Sequence, residues 1–113
     1  NTAEGKKLPV VHCIKDTQGW QIQPEVWEAG IGKTVAVIDK PTFGYRDWQN
    51  ETLEDVEIIG LCTDICVVSN ALILKAKYPN LTVKTRKALC AGTSQANHDA
   101  AIQVMQACQV EIV

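Results

Sequence analysis

Residues 60–72 read GLCTDICVVSNAL, and the segment joins a nucleophile to the kind of backbone that activates one. The apolar run that finishes in Ile58, Ile59 and Leu61 has strand character, and the residues from Ile65 onward have helical character. Cys66 therefore falls at or near the first turn of a helix that follows directly on a strand. Unpaired amide protons and the positive end of the helix dipole favour a thiolate there, lowering its pKa by about a unit or more. A thiolate so placed can add to a carbonyl carbon. The competing reading is that Cys66 is a small buried hydrophobe, which free cysteines most often are. Asp64, two residues earlier, is read as a helix-capping carboxylate that accepts amide protons within its own loop. Cys62 and Cys66 form C-x-x-x-C, the wrong spacing for a thioredoxin-type turn and, without a second pair, a poor zinc site.

Lys40 closes the apolar run TVAVID at 34–39, and His12 precedes Cys13 at the end of a shorter run. Taken by themselves, a lysine at a strand end is a solvated cation and a lone histidine is a structural one. His98 is placed on the polar side of the last helix and is read in the same way.

These groups need a scaffold, and the apolar pattern supplies one. Segments 10–14, 34–39, 56–61 and 81–85 have the length and β-branched content of strands, and 110–113 makes a closing strand. Helical stretches fall at 24–29, 65–77 and 95–108, the last with Ala100, Ala101, Val104, Met105 and Cys108 on one face. Alternation of strand and helix implies an α/β fold with a mostly parallel sheet and helices on its faces. Residues 30–32 and 78–80 punctuate as loops. In such sheets, chemistry collects beyond the carboxyl ends of the strands, which is where Cys66 lies.

The chain has 113 residues and a formal net charge of -2, which predicts one compact domain over 1–113 and no basic stripe for nucleic acid. No apolar run is long enough to span a bilayer. Five cysteines at irregular spacing argue against a secreted disulfide framework and for a reducing, cytoplasmic compartment. No charged-then-apolar leader is read at the start.

The motif Gly-x-x-Thr-Asp-x-Cys-Val, present as Gly60, Thr63, Asp64, Cys66 and Val67, resembles the nucleophile motif of the nicotinamidase and isochorismatase-like cysteine hydrolases. Further segments agree in order: Pro9, His12 and Cys13; Thr17 and Gly19; Lys40 with Phe43; and CAGTSQANHDAAI at 90–102. The resemblance implies a three-layer αβα fold that, in this chain, lacks its N-terminal strand. It also implies an amidohydrolase that cleaves a small amide through a thioester, with Cys66 as nucleophile, Lys40 as the cation of the triad and Phe43 in the substrate pocket. The oxyanion hole would be the backbone amides of Cys62 and Cys66, beside a non-proline cis peptide at Leu61–Cys62. The family's catalytic aspartate ends the first strand, upstream of Asn1, so Asp64 is not that residue. His12 would be one ligand of a divalent ion, zinc foremost, with no organic cofactor.

Two departures bear on the substrate. Many nicotinamidases carry a Trp shortly before the metal-binding His, whereas this chain has Pro9, Val10 and Val11 there, so nicotinamide is not singled out. The stretch 41–57 is also short for the family's connection between the Lys and Cys strands. A small-molecule amide is the expected partner, with a homo-oligomer as the expected assembly and neither nucleic acid nor membrane. The alternative is a catalytically inactive binding or scaffold member of the same fold.

Overall fold

The computed structural model describes residues 2–49 and 55–113, and the chain divides into two compact units, Asn1–Pro41 and Thr42–Val113. Part of the short connection at 41–57 thus lies outside the described residues. The first unit holds helix α1 (Ala3–Lys6), a 3₁₀ turn (Gln18–Trp20) and helix α2 (Pro24–Gly30). The Thr2 hydroxyl caps α1 by accepting the Gly5 amide proton at 3.2 Å. Pro24 opens α2 at a position where its missing N–H costs nothing.

The segments 10–14 and 34–39 are not strands, contrary to the pattern of their side chains. A β-branched run becomes a strand only where a neighbour takes up its backbone hydrogen bonds. Among the described residues neither segment has a ladder partner, and Val11, Val35 and Val37 are exposed.

The second unit is a three-stranded parallel sheet in the order β1 (Asp55–Leu61), β2 (Thr82–Ala91), β3 (Glu111–Ile112). Helices α3 (Val68–Lys77) and α4 (Gln95–Ala107) make the crossovers. Parallel crossovers share one hand, so two consecutive ones stepping the same way set both helices on the same face, and α3 and α4 touch each other. The α/β class with a parallel sheet is thus what the structure shows. Strand β2 runs six residues beyond the expected 81–85. It does so because pairing with β1 resumes past a register shift, at Gly60 opposite Cys90 and Leu61 opposite Ala91.

The core lies between this sheet and its two helices. Val67, Ala71 and Leu74 recur at spacings of four and three along the helical face, and pack with Leu81, Val83, Ile102, Met105 and Val110. On α4 the buried face is His98, Ala101, Ile102 and Met105. The expected face is therefore rotated: Ala101 and Met105 belong to it, whereas Val104 and Cys108 are exposed. The branched Ile102 buries more apolar area than Ala100 would, and a partner for His98 inside the unit removes the penalty on its ring. The opposite face of the sheet carries exposed cross-strand ion pairs, Lys84 with Asp55 at 2.9 Å and Arg86 with Glu57 at 2.6 Å, which solvent screens. No helix among the described residues is long and apolar enough to cross a membrane.

Met105 is fully buried, and the Thr85 hydroxyl contacts its sulfur at 3.7 Å. Met105→Ala is expected to destabilise the protein by about 2–5 kcal/mol through lost contact and a residual cavity, read as a lower urea midpoint.

Candidate active site

The carboxyl end of β1 turns into α3 through a five-residue π-helical turn, Thr63–Val67. Gly60 sits at the register shift with φ +118°, a conformation that side chains with a Cβ rarely adopt. The motif's glycine is thus required by the backbone. The Leu61–Cys62 peptide is cis, as the resemblance implies. The carbonyl of Cys62 then accepts two amide protons, from Ile65 at 3.1 Å and Val67 at 3.0 Å. These bonds wind the turn and set Cys66 at its fourth residue, with Val67 between it and α3. Cys66 is half-buried, which suits a group that must be both desolvated and reachable.

The five cysteines stand outside any disulfide, and Cys62 is distinguished from the others by its surroundings. Burial pushes its thiol up, and the negative charges of Asp64 and of an ionised Cys66 push in the same direction. Its thiolate is therefore disfavoured, which makes Cys62 a poor attacking group.

Asn70, one helical turn beyond Cys66, is the buried polar centre of the site. Its Nδ2 donates to the Cys66 carbonyl at 2.8 Å and to the Phe43 carbonyl at 3.2 Å. Its Oδ1 accepts the Tyr45 amide proton at 2.9 Å and the Trp48 indole proton at 3.2 Å. All four hydrogen-bonding positions of the side chain are used. Asn70 thereby holds two of the expected site residues, Cys66 and Phe43, to one anchor. Tyr45 and Trp48 meet edge to face at 5.3 Å between ring centres, and the Tyr78 hydroxyl donates to the Trp48 carbonyl at 2.8 Å. Sequence reasoning passed over Asn70, although an asparagine four residues after Cys66 inside VVSNALIL is the signal that could have found it.

Asp64 departs from its expected role. Its carboxylate reaches the loop after β2, where Oδ1 accepts the Thr93 amide proton at 2.8 Å and Oδ2 the Thr93 hydroxyl proton at 2.5 Å. A bidentate pair of donors on another loop satisfies the carboxylate better than its own turn does. Burial alone would raise its pKa, but the side-chain and backbone hydrogen bonds from Thr93, with smaller help from its own amide and Asn97, hold it below the usual value. His98 likewise departs from the polar side. It is buried and its Nδ1 is hydrogen-bonded to the Thr63 hydroxyl at 2.8 Å.

Lys40 and His12 belong to the first unit, while Cys62, Cys66 and Phe43 belong to the second. His12 is exposed, and its Nδ1 donates to the Val10 carbonyl at 2.8 Å, leaving Nε2 with its lone pair as a single metal-binding position. Among the described residues no group of three or more His, Cys, Asp or Glu side chains could hold a metal ion. One imidazole does not by itself make a site.

Asn70→Ala is expected to cost about 3 kcal/mol, since it removes several hydrogen bonds and strands carbonyls that Asn70 now satisfies. The checks are urea unfolding and faster proteolysis within 42–49. For Asp64, a folded-state pKa below the ordinary value means that its stabilisation is present above that ordinary value and is lost as pH falls through the lowered one. The wild-type urea midpoint should therefore drop across the acid range, and Asp64→Asn should lower it at neutral pH and flatten that drop.

No protein-family model and no curated protein sequence matches the chain. Among solved structures, the nicotinamidase/pyrazinamidase of Bacillus subtilis matches with a TM-score of 0.81 and 18% identity, over 96% of this chain and 65% of that one. An isochorismatase-like hydrolase from Alkaliphilus metalliredigens matches with a TM-score of 0.71 and 19% identity, over 99% of this chain and 62% of that one. The chain thus spans somewhat less than two thirds of the length of these structures, and what it shares with them is the isochorismatase-like, nicotinamidase-type fold.

Proposed function

We propose that the chain is the nucleophile-bearing part of a cysteine amidohydrolase acting on a small amide. The observation that carries this reading is the setting of Cys66, half-buried in the turn that joins the carboxyl end of a parallel strand to the amino end of α3. That end of the helix favours the thiolate. In the reaction, the Cys66 sulfur adds to the amide carbonyl and the oxygen takes up the negative charge. Backbone amides of Cys62 and Cys66, fixed in place by the turn, are the donors assigned to that oxygen. The proton that the Cys66 thiol gives up is carried to the departing nitrogen by the aspartate that the resemblance implies, so collapse of the adduct releases the neutral amine and leaves a thioester for water to cleave. Lys40 is assigned as the cation that keeps the charged partners of the thiolate ionised. Asp64 is not assigned the proton transfer, because both of its oxygens are engaged by Thr93.

The test is ammonia release from a panel of small primary amides by the intact protein, beside its Cys66→Ala and Lys40→Met variants. Cys66→Ala should abolish turnover. Lys40→Met should slow it by about 10²–10⁴-fold, the usual worth of help with proton transfer, with circular dichroism unchanged. Turnover that survives Cys66→Ala would overturn the assignment, and a protein that binds amides with no release would be the inactive binding member of this fold.

A further inference from the structure

The loop after β2 and the turn that carries Cys66 stand side by side because their strands are hydrogen-bonded neighbours, Leu61 being paired with Ala91. Two side-chain links join them. Asp64 takes both the amide and hydroxyl protons of Thr93, and Thr63 bonds to His98 of α4. The Thr93 hydroxyl is itself an acceptor, from Asn97 Nδ2 at 2.8 Å, so Asn97, Thr93 and Asp64 form a directed chain in which each bond polarises the next. Gly92 makes the approach possible: a Cβ there would lie 2.9 Å from Asp64 Oδ1 and 2.9 Å from both the amide nitrogen and Cβ of His98. On its inner side the same turn is held by the Cys62 carbonyl and by Asn70. Without the Thr93 clasp, the outer side of the turn would lose its two bonds to the neighbouring loop.

We propose that Asp64, acting through Thr93, is a positioning residue that fixes the turn bearing Cys66 in the geometry its thiolate needs; this rests on reading Cys66 as the nucleophile. Misplacement of a reacting atom by about 1 Å can cost roughly 10²-fold in rate, so a bidentate link two residues from the sulfur has direct leverage on it. The link acts by geometry and against its own charge, since a carboxylate near Cys66 by itself disfavours the thiolate.

That opposition makes the proposal testable without knowing the substrate. The intact protein and its Thr93→Val, Thr93→Ser and Asp64→Asn variants are treated briefly with iodoacetamide between pH 5 and 9, and labelling of each cysteine is read by peptide mass. Wild-type Cys66 should label fastest of the five thiols. Thr93→Val keeps the carboxylate and removes the hydroxyl, and should slow Cys66 about tenfold near neutral pH while moving its pH profile toward that of an ordinary thiol. Thr93→Ser should restore the rate to within about threefold, and Asp64→Asn combined with Thr93→Val should add little to either alone. A Thr93→Val protein with a lower melting temperature but an unchanged Cys66 profile would overturn the proposal, leaving the clasp a structural tie only. Faster labelling in Asp64→Asn would also overturn it, since Asp64 would then act through charge. Failure of the underlying reading looks different: wild-type Cys66 would label no faster than Cys13 or Cys108.

Discussion

The carbonyl of Cys62 governs the arrangement around it. By accepting the amide protons of both Ile65 and Val67, it forces the chain leaving β1 into a wide turn before α3 begins. A normal helix start would advance the residues of that turn along the helix axis and present a different side chain at the strand's end. Because the turn is wide, Thr63 faces inward to His98, Asp64 reaches across to Thr93, and Val67 enters the core. Thr63, Asp64 and Val67 therefore each have a separate mechanical duty around Cys66, the residue to which the proposed reaction gives the chemistry.

Asn70 extends that constraint to the segment 42–49, which has no regular structure to hold it. Irregular backbone must find hydrogen-bond partners individually, and here one amide side chain supplies partners for Phe43, Tyr45 and Trp48 together. Lys77 and Tyr78, at the far end of α3, both donate to the Trp48 carbonyl. The helix that follows Cys66 thus also organises the stretch that includes Phe43, so packing of α3 and geometry of the candidate site are one problem.

How much of this the sequence revealed depended on where each residue's partner lies. Helices α3 and α4 and strand β1 were legible because their burial follows the 3.6- and 2-residue periods of the chain itself. The outer half of β2 was not, since residues 86–89 are exposed and the strand is completed by bonds at long range, Lys87 to Val113 and Cys90 and Ala91 to β1. The opposite failure occurred at 10–14 and 34–39, where strand-like side chains lack a ladder among the described residues. The position of Cys66 between strand and helix was legible from the pattern around it, whereas the contacts of Asp64, Asn70 and His98 were not. Their partners, Thr93, Phe43 and Thr63, lie 29, 27 and 35 positions away, and no local pattern encodes contacts of that range.

Cys62 and Cys66 show how one short segment can give the same chemical group different surroundings. Cys62 precedes the turn, and its thiol is raised first by desolvation and then by Asp64 and Cys66. Cys66 lies four residues later, where the amides at the start of a ten-residue helix supply positive potential. Desolvation and neighbouring negative charge thus act on Cys62 in the same direction, against its thiolate. Asp64 sharpens the division by raising Cys62 while its own charge is turned toward Thr93. A carboxylate that looks like a competitor for catalysis thus has a part in keeping the second thiol protonated, and the C-x-x-x-C spacing that fails as a redox or zinc motif serves to keep the two sulfurs in unequal environments.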